Sequence, residues 1–254
     1  MGGNTELFGP KANQWLSENK WTDLYPGWKQ FAEELEAFLG MLEVEEQLDR
    51  YLPRLKSKQQ QRDEALVELR ILYFFICSGY RVVDWEPTGN NGKRGEFNLA
   101  RNGEPSFFVE VKSPGWEGEL SQQQREDGRA KQPKYTPGKI GGGAVSPNSA
   151  MHKSIDKAYE KFLDSCPNLL VIADDLLFPL QFGEEWFAEI ALYETSSGYG
   201  VPGYFTSQKC ERLGGVAILG SAYLPTYYFR VYENPHALDA CKLPASVLAL
   251  KEGE

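Results

Sequence analysis

Apolar residues recur at steps of three and four along the first fifth of the chain: Trp15 and Leu16, then Trp28, Phe31, Leu35, Phe38, Leu39 and Leu42. Such spacing returns to one side of a helix and predicts a helical region from Asn13 to about Leu55, broken at Pro26 and Pro53. The polar run "KSKQQQRD" leads into a second helix, Asp63 to Ser78, which ends in the apolar "ILYFFIC" and is closed by Gly79 as a C-terminal cap. The period then shortens to two. "YRVVDWE" reads as a strand, "PTGNNGKRG" as an exposed loop, and "EFNLAR" with "SFFVEVK" as a hairpin. Residues 113–149 are rich in Gly, Gln, Pro and charge and read as a long flexible insertion. A helix from Ala150 to Leu163, the strand "NLLVIAD", a helix around Glu184 to Tyr193 and the strands "GVAILGS" and "TYYFRVY" complete the pattern.

Helices on both flanks of a mixed sheet define an α/β fold. The expected division is an N-terminal helical region, residues 1–60, and an α/β domain, residues 61–254. The apolar stripe of the first region either packs on the rest of the protein or offers a surface to a protein partner or a second copy.

Composition narrows the class. The chain has 254 residues, 41% of them hydrophobic and 25% charged, which suits a globular protein with a sizeable core. The longest apolar run is too short to cross a bilayer and no leader opens the chain, so a cytoplasmic protein without membrane attachment is expected. Four separated cysteines show neither zinc-knuckle spacing nor a disulfide framework, and two histidines exclude a histidine-rich metal site. Any chemistry therefore falls to carboxylates and lysines. The net charge of −9 argues weakly against nucleic acid, but its distribution is uneven: residues 31–49 hold seven acids and no base, whereas 129–161 hold seven bases against two acids.

The segment "SFFVEVKSPG" carries the sharpest signal. Alternation sets Phe107, Val109 and Val111 on one face, and Phe108, Glu110 and Lys112 on the other. The acid that can meet Glu110 is Glu96, at the start of the preceding strand. A two-residue Asn102-Gly103 turn would set Glu96 against Val109, on the wrong face. A three-residue loop from Asn102 to Glu104 pairs Glu96 with Glu110. Two facing carboxylates repel, so a sheet tolerates them best with a hard dication such as Mg²⁺ or Mn²⁺ between them. With Lys112 beside them to serve a water or a phosphoryl oxygen, these parts suffice for phosphodiester hydrolysis. Two readings compete with this one: charges on the solvent face of an edge strand, and a carboxylate pair that hydrolyses sugars without Lys112 or metal. Glu68 is a further candidate, since it shares a helical stripe with Glu64, Ile71 and Phe75 and a buried carboxylate needs a partner. Lys153 and Lys157 share a helix face as candidate phosphate contacts.

In order and spacing, residues 63–115 resemble the PD-(D/E)XK nuclease superfamily: a helix bearing Glu, a Gly-Tyr turn, a strand, an acid opening the next strand, then Glu-x-Lys. "MHKSIDKAYEKF" and "NLLVIADD" resemble the helix and core strand that follow, and "YYFRVYENPHA" a closing strand. The resemblance implies a restriction-endonuclease-like fold and a Mg²⁺- or Mn²⁺-dependent nuclease, with DNA the expected polymer. It implies Glu68, Glu96, Glu110 and Lys112 as catalytic residues, and Glu96, Glu110 and the Val111 carbonyl as metal ligands. Lys153 and Lys157, with Lys134 and Lys139 of the basic insertion, would contact nucleic acid. The family's Pro-Asp-Phe stands here as Gly95-Glu96-Phe97, its acid one methylene longer. A chain that has lost the chemistry and acts as a nucleic-acid or protein binding module is the alternative.

Overall fold

In the computed structural model, residues 11–12, 14, 28–57, 59–112, 147–173, 184–193, 202–206, 210–221 and 227–250 are described. The chain divides into two compact units, with the boundary between Phe74 and Phe75, inside a helix.

The first unit holds α1 (Trp28–Val44), α2 (Leu48–Leu55) and most of α3 (Gln59–Cys77). The expected three-and-four spacing is visible in burial, since Leu35, Phe38, Leu39 and Leu42 are all withdrawn from solvent. Phe38 and Tyr73 meet edge to face at 5.7 Å. Pro53 lies inside α2 rather than breaking it. With only eight residues, that helix has few interior N–H bonds for a proline to remove. α3 begins four residues before the expected Asp63, because the polar run Gln59–Arg62 consists of good helix formers.

The second unit carries a six-stranded mixed sheet in the order β1 (Arg81–Trp85), β2 (Phe97–Ala100), β3 (Phe107–Lys112), β4 (Asn168–Ala173), β5 (Gly215–Ser221) and β6 (Tyr227–Glu233). β1, β2 and β3 are antiparallel neighbours, β3–β4 and β4–β5 run parallel, and β5–β6 is antiparallel. Parallel neighbours need a crossover, and between β3 and β4 the chain includes α4 (Pro147–Tyr159). α5 (Glu184–Tyr193) lies between β4 and β5, and the short α6 (Ala245–Leu248) follows β6. No helix among the described residues is long and apolar enough to cross a membrane.

Alternation along each strand separates two cores. Phe107 lies on one face in an aromatic cluster with Phe75, Tyr80 and Phe229, at centroid distances of 5.5–5.7 Å. Gly79, at φ +85°, turns the chain out of α3 so that the Tyr80 N–H reaches the Phe75 carbonyl at 3.0 Å. On the other face Phe108, Leu170, Ile172, Val216 and Ile218 pack with Met151, Ile155 and Ala158 of α4 and Ala188 and Leu192 of α5. Buried Asn168 ties down the start of β4: its Nδ2 donates to the carbonyls of Leu163, Cys166 and Arg212 at 2.6–2.8 Å. β3 is thus interior to the sheet, which excludes the edge-strand reading of Glu110 and Lys112.

Candidate active site

The hairpin register decides where the two acids stand. β2 and β3 pair Phe97 with Val109, Asn98 with Phe108 and Leu99 with Phe107. That register is the one a three-residue loop from Asn102 to Glu104 requires. The Glu104 N–H closes the turn on the Arg101 carbonyl at 3.1 Å, and Gly103 takes φ +82°. Continued by one residue, the register sets Glu96 across from Glu110. The half-buried Glu96 lies beyond the last paired residue of β2, and its N–H donates to the Val109 carbonyl at 3.1 Å.

Gly95 has a steric reason to lack a side chain. A Cβ there would lie 2.2 Å from the tip of the Phe108 ring, against which the glycine backbone rests. Phe108 is itself held edge to face by Phe162 at 6.0 Å. Glycine at position 95 is therefore fitted to this core, and it seats the loop that ends in Glu96.

Glu110 lies on the Phe108 face of β3, level with Leu170 of β4, and has no exposed surface. Two ammonium groups share one of its oxygens: Lys112 Nζ and Lys161 Nζ each stand 2.5 Å from Oε1. The other oxygen, Oε2, is buried and has no hydrogen-bond partner among the described residues. An isolated buried carboxylate is costly, and here two cations offset its charge while one of its acceptors stays bare. Val111, the third residue expected at a metal, is buried in β3 and pairs with Val171.

Sequence reasoning stopped at Lys153 and Lys157 and missed Lys161. The signal was present, because the four-residue spacing of the first two lysines continues to the third. α4 ends at Tyr159 rather than at the expected Leu163, and Lys161 lies in the turn beyond it. Its N–H donates to the Ala158 carbonyl at 2.9 Å and its own carbonyl accepts the Asn90 N–H at 2.8 Å. A Cβ at Gly89 would approach that carbonyl to 2.2 Å, so glycine is what lets the loop close over it. Glu160 is engaged by Lys93, which lowers its pKa first through the hydrogen bond and then through charge.

Lys153 and Lys157 are exposed on α4. Lys134 and Lys139, and all but the last three residues of the expected 113–149 insertion, lie outside the described residues. Glu68 belongs to the first unit and is buried there. Arg54 grips it with both terminal nitrogens, Nη1 to Oε2 and Nη2 to Oε1, each at 2.5 Å, and the Tyr51 hydroxyl approaches Oε2 at 3.4 Å. The bidentate guanidinium supplies the partner that a desolvated carboxylate requires. Sequence reasoning left that partner open, and Arg54 is the penultimate residue of α2, beside Pro53, where spacing offers no hint of the contact.

His152 Nε2 donates to the Ala191 carbonyl at 2.8 Å, so it ties α4 to α5. Cys166 is pushed up to about 11, chiefly by burial and then by the charges of Cys241 and Asp164, and burial likewise raises Cys210 and Cys241. These thiols are not nucleophiles near neutral pH.

Among the described residues no group of three or more His, Cys, Asp or Glu is arranged to hold an ion. What the described residues supply at Glu110 is smaller: the bare Oε2, the Val111 backbone, and Glu96, whose backbone comes level with Glu110 when the register is continued one residue past its last pair. That set fits a hard dication that keeps several waters and takes few protein ligands, and does not fit a zinc cage. No protein-family model matches the chain, and no curated protein or solved structure matches it.

Proposed function

We propose that the sheet unit is a metal-dependent phosphodiesterase centre of the PD-(D/E)XK type on a restriction-endonuclease-like fold, and that it acts on nucleic acid, with DNA the expected polymer. One observation carries the reading: a carboxylate with no exposed surface, on an interior strand, has one oxygen under two ammonium groups and the other without a partner among the described residues. A residue kept only for packing would be an apolar side chain of similar volume, which is commonly as stable or more so. The order of elements supports the same reading: a helix, three antiparallel strands, a helix and a parallel strand.

Glu110 through Oε2, Glu96, and the Val111 carbonyl would hold Mg²⁺ or Mn²⁺. Once bound, the ion supplies a polarised phosphoryl oxygen and a water acidic enough to attack it. Lys112 sets a positive charge beside that centre, where it orients the water or offsets charge on the phosphoryl oxygens. Exposed Lys153 and Lys157 would hold flanking phosphates. Glu68, paired with Arg54 in the other unit, is assigned no step.

A second reading has its own support. The charge of Glu110 is already offset by two lysines without any ion, as in a binding module that has lost the chemistry. Incubation of wild type, Glu110→Ala and Lys112→Ala with linear and plasmid DNA in Mg²⁺ or Mn²⁺ separates the two. Cleavage by wild type alone supports the nuclease, and equal behaviour of all three proteins removes it.

A further inference from the structure

We propose that Lys161 is a second functional ammonium of this site: it occupies Glu110 Oε1 as an internal counter-ion while no dication is bound, and passes to an anionic oxygen of the substrate when one is. The inference rests on the reading of Glu110 as the cation-holding carboxylate.

The crowding of the two ammonium groups motivates it: Lys112 and Lys161 share a single acceptor oxygen of Glu110. The two ammonium groups meet at a single oxygen, where they repel each other, although Oε2 of the same carboxylate is bare. For a static ion pair this is a poor arrangement. It suits a site that receives a cation on the bare oxygen and an anion on one of the two ammonium groups.

The backbone of Lys161 is built in. The Ala158 carbonyl, the Asn90 N–H and the close approach of Gly89 hold the turn, so the side chain starts from a fixed point. Glu160, its neighbour in sequence, is engaged by Lys93 and does not draw Lys161 away. The Lys161 side chain is 19% exposed, so it is largely desolvated at Glu110 but keeps some surface on a flexible four-carbon stem.

A dication on Oε2 and the ammonium on Oε1 compete for one negative charge. Removal of the Lys161 charge should then tighten cation binding and weaken anion binding, opposite signs that a merely structural pair does not produce. The test uses the full chain with Lys161→Met, Lys161→Gln and Lys161→Arg, each checked by circular dichroism; the glutamine variant serves if the methionine variant does not fold. Calorimetry with Mn²⁺ should show the neutral variants binding about fivefold more tightly than wild type, the effect of one repulsive unit charge a few ångströms away in water. Binding of a short DNA duplex in Ca²⁺ should weaken in the same variants, with the slope of log affinity against log salt reduced by about one. Lys161→Arg should stay near wild type in both measurements. Unchanged or weaker Mn²⁺ binding, or an unchanged salt slope, overturns the role of Lys161 and leaves the metal reading standing. Absence of Mn²⁺ binding in wild type and variants alike defeats the metal reading, and the role of Lys161 with it.

Discussion

Replacing Lys112 and Lys161 by methionine, singly and together, should reveal strong non-additivity. Glu110 has no exposed surface, and the lysine side chains are 26% and 19% exposed, so all three groups are largely desolvated. Each single change removes a charge-assisted hydrogen bond, worth about 1.5–3 kcal/mol in general. It also removes the repulsion between two ammonium groups that share one oxygen and leaves the other lysine in place, so the net loss should be about 1 kcal/mol or less. The double change strands a buried carboxylate without any cation, for which the cost is about 3–5 kcal/mol. The expected coupling is therefore about 2 kcal/mol, well above the ~0.5 kcal/mol within which independent sites add. Urea denaturation of the four proteins at pH 7 without divalent ions measures it. A double-variant loss equal to the sum of the single losses would show that the two lysines do not serve the same carboxylate, and would refute the reasoning.

Other outcomes follow from the packing. Gly95→Ala places a methyl 2.2 Å from the buried Phe108 ring and should destabilise by about 1–3 kcal/mol, read from thermal melts; an unchanged melting temperature would show that the loop has room to yield. Asn168→Ala strands the carbonyls of Leu163, Cys166 and Arg212 and should cost about 3 kcal/mol by urea denaturation, whereas a loss under ~1 kcal/mol would mean that other donors replace it. Cys166, raised to about 11 by burial, binds a proton in the folded chain between pH 9 and 11 that the unfolded chain has released. Its contribution to stability is thus complete below about pH 9 and lost as pH rises through 11. The thiol should therefore resist alkylation at pH 8 in the native protein and react on unfolding, and rapid native labelling mapped to Cys166 by peptide mass would contradict this.

The sequence is most informative where periodicity and turn chemistry act over short distances. Three-and-four spacing located Leu35 to Leu42 as a buried stripe, and of the two hairpin loops that the sequence left open the structure has the register of the three-residue one, Asn102–Glu104. Alternation separated Phe107 from Phe108, and with them the aromatic core from the face that carries Glu110. What stayed hidden depends on which distant groups meet. The contact of Lys161 with Glu110 exists because the chain between β3 and β4 returns α4 to the Phe108 face, and a local pattern does not encode that return. Glu68 was legible as an acid in need of a partner, but identifying that partner as Arg54 required the packing of two helices within their own unit. The need for glycine in Gly95-Glu96-Phe97 was likewise invisible in the sequence, because it comes from the Phe108 ring of the neighbouring strand.

The most direct measurement of the central claim is the anomalous diffraction of crystals soaked in Mn²⁺. The account predicts a single strong peak in coordination contact with Glu110 Oε2 and the Glu96 carboxylate, and its absence in Glu110→Gln crystals. A Mn²⁺ peak elsewhere, or a Glu110 that keeps both lysines and takes no ion at saturating Mn²⁺, would contradict it.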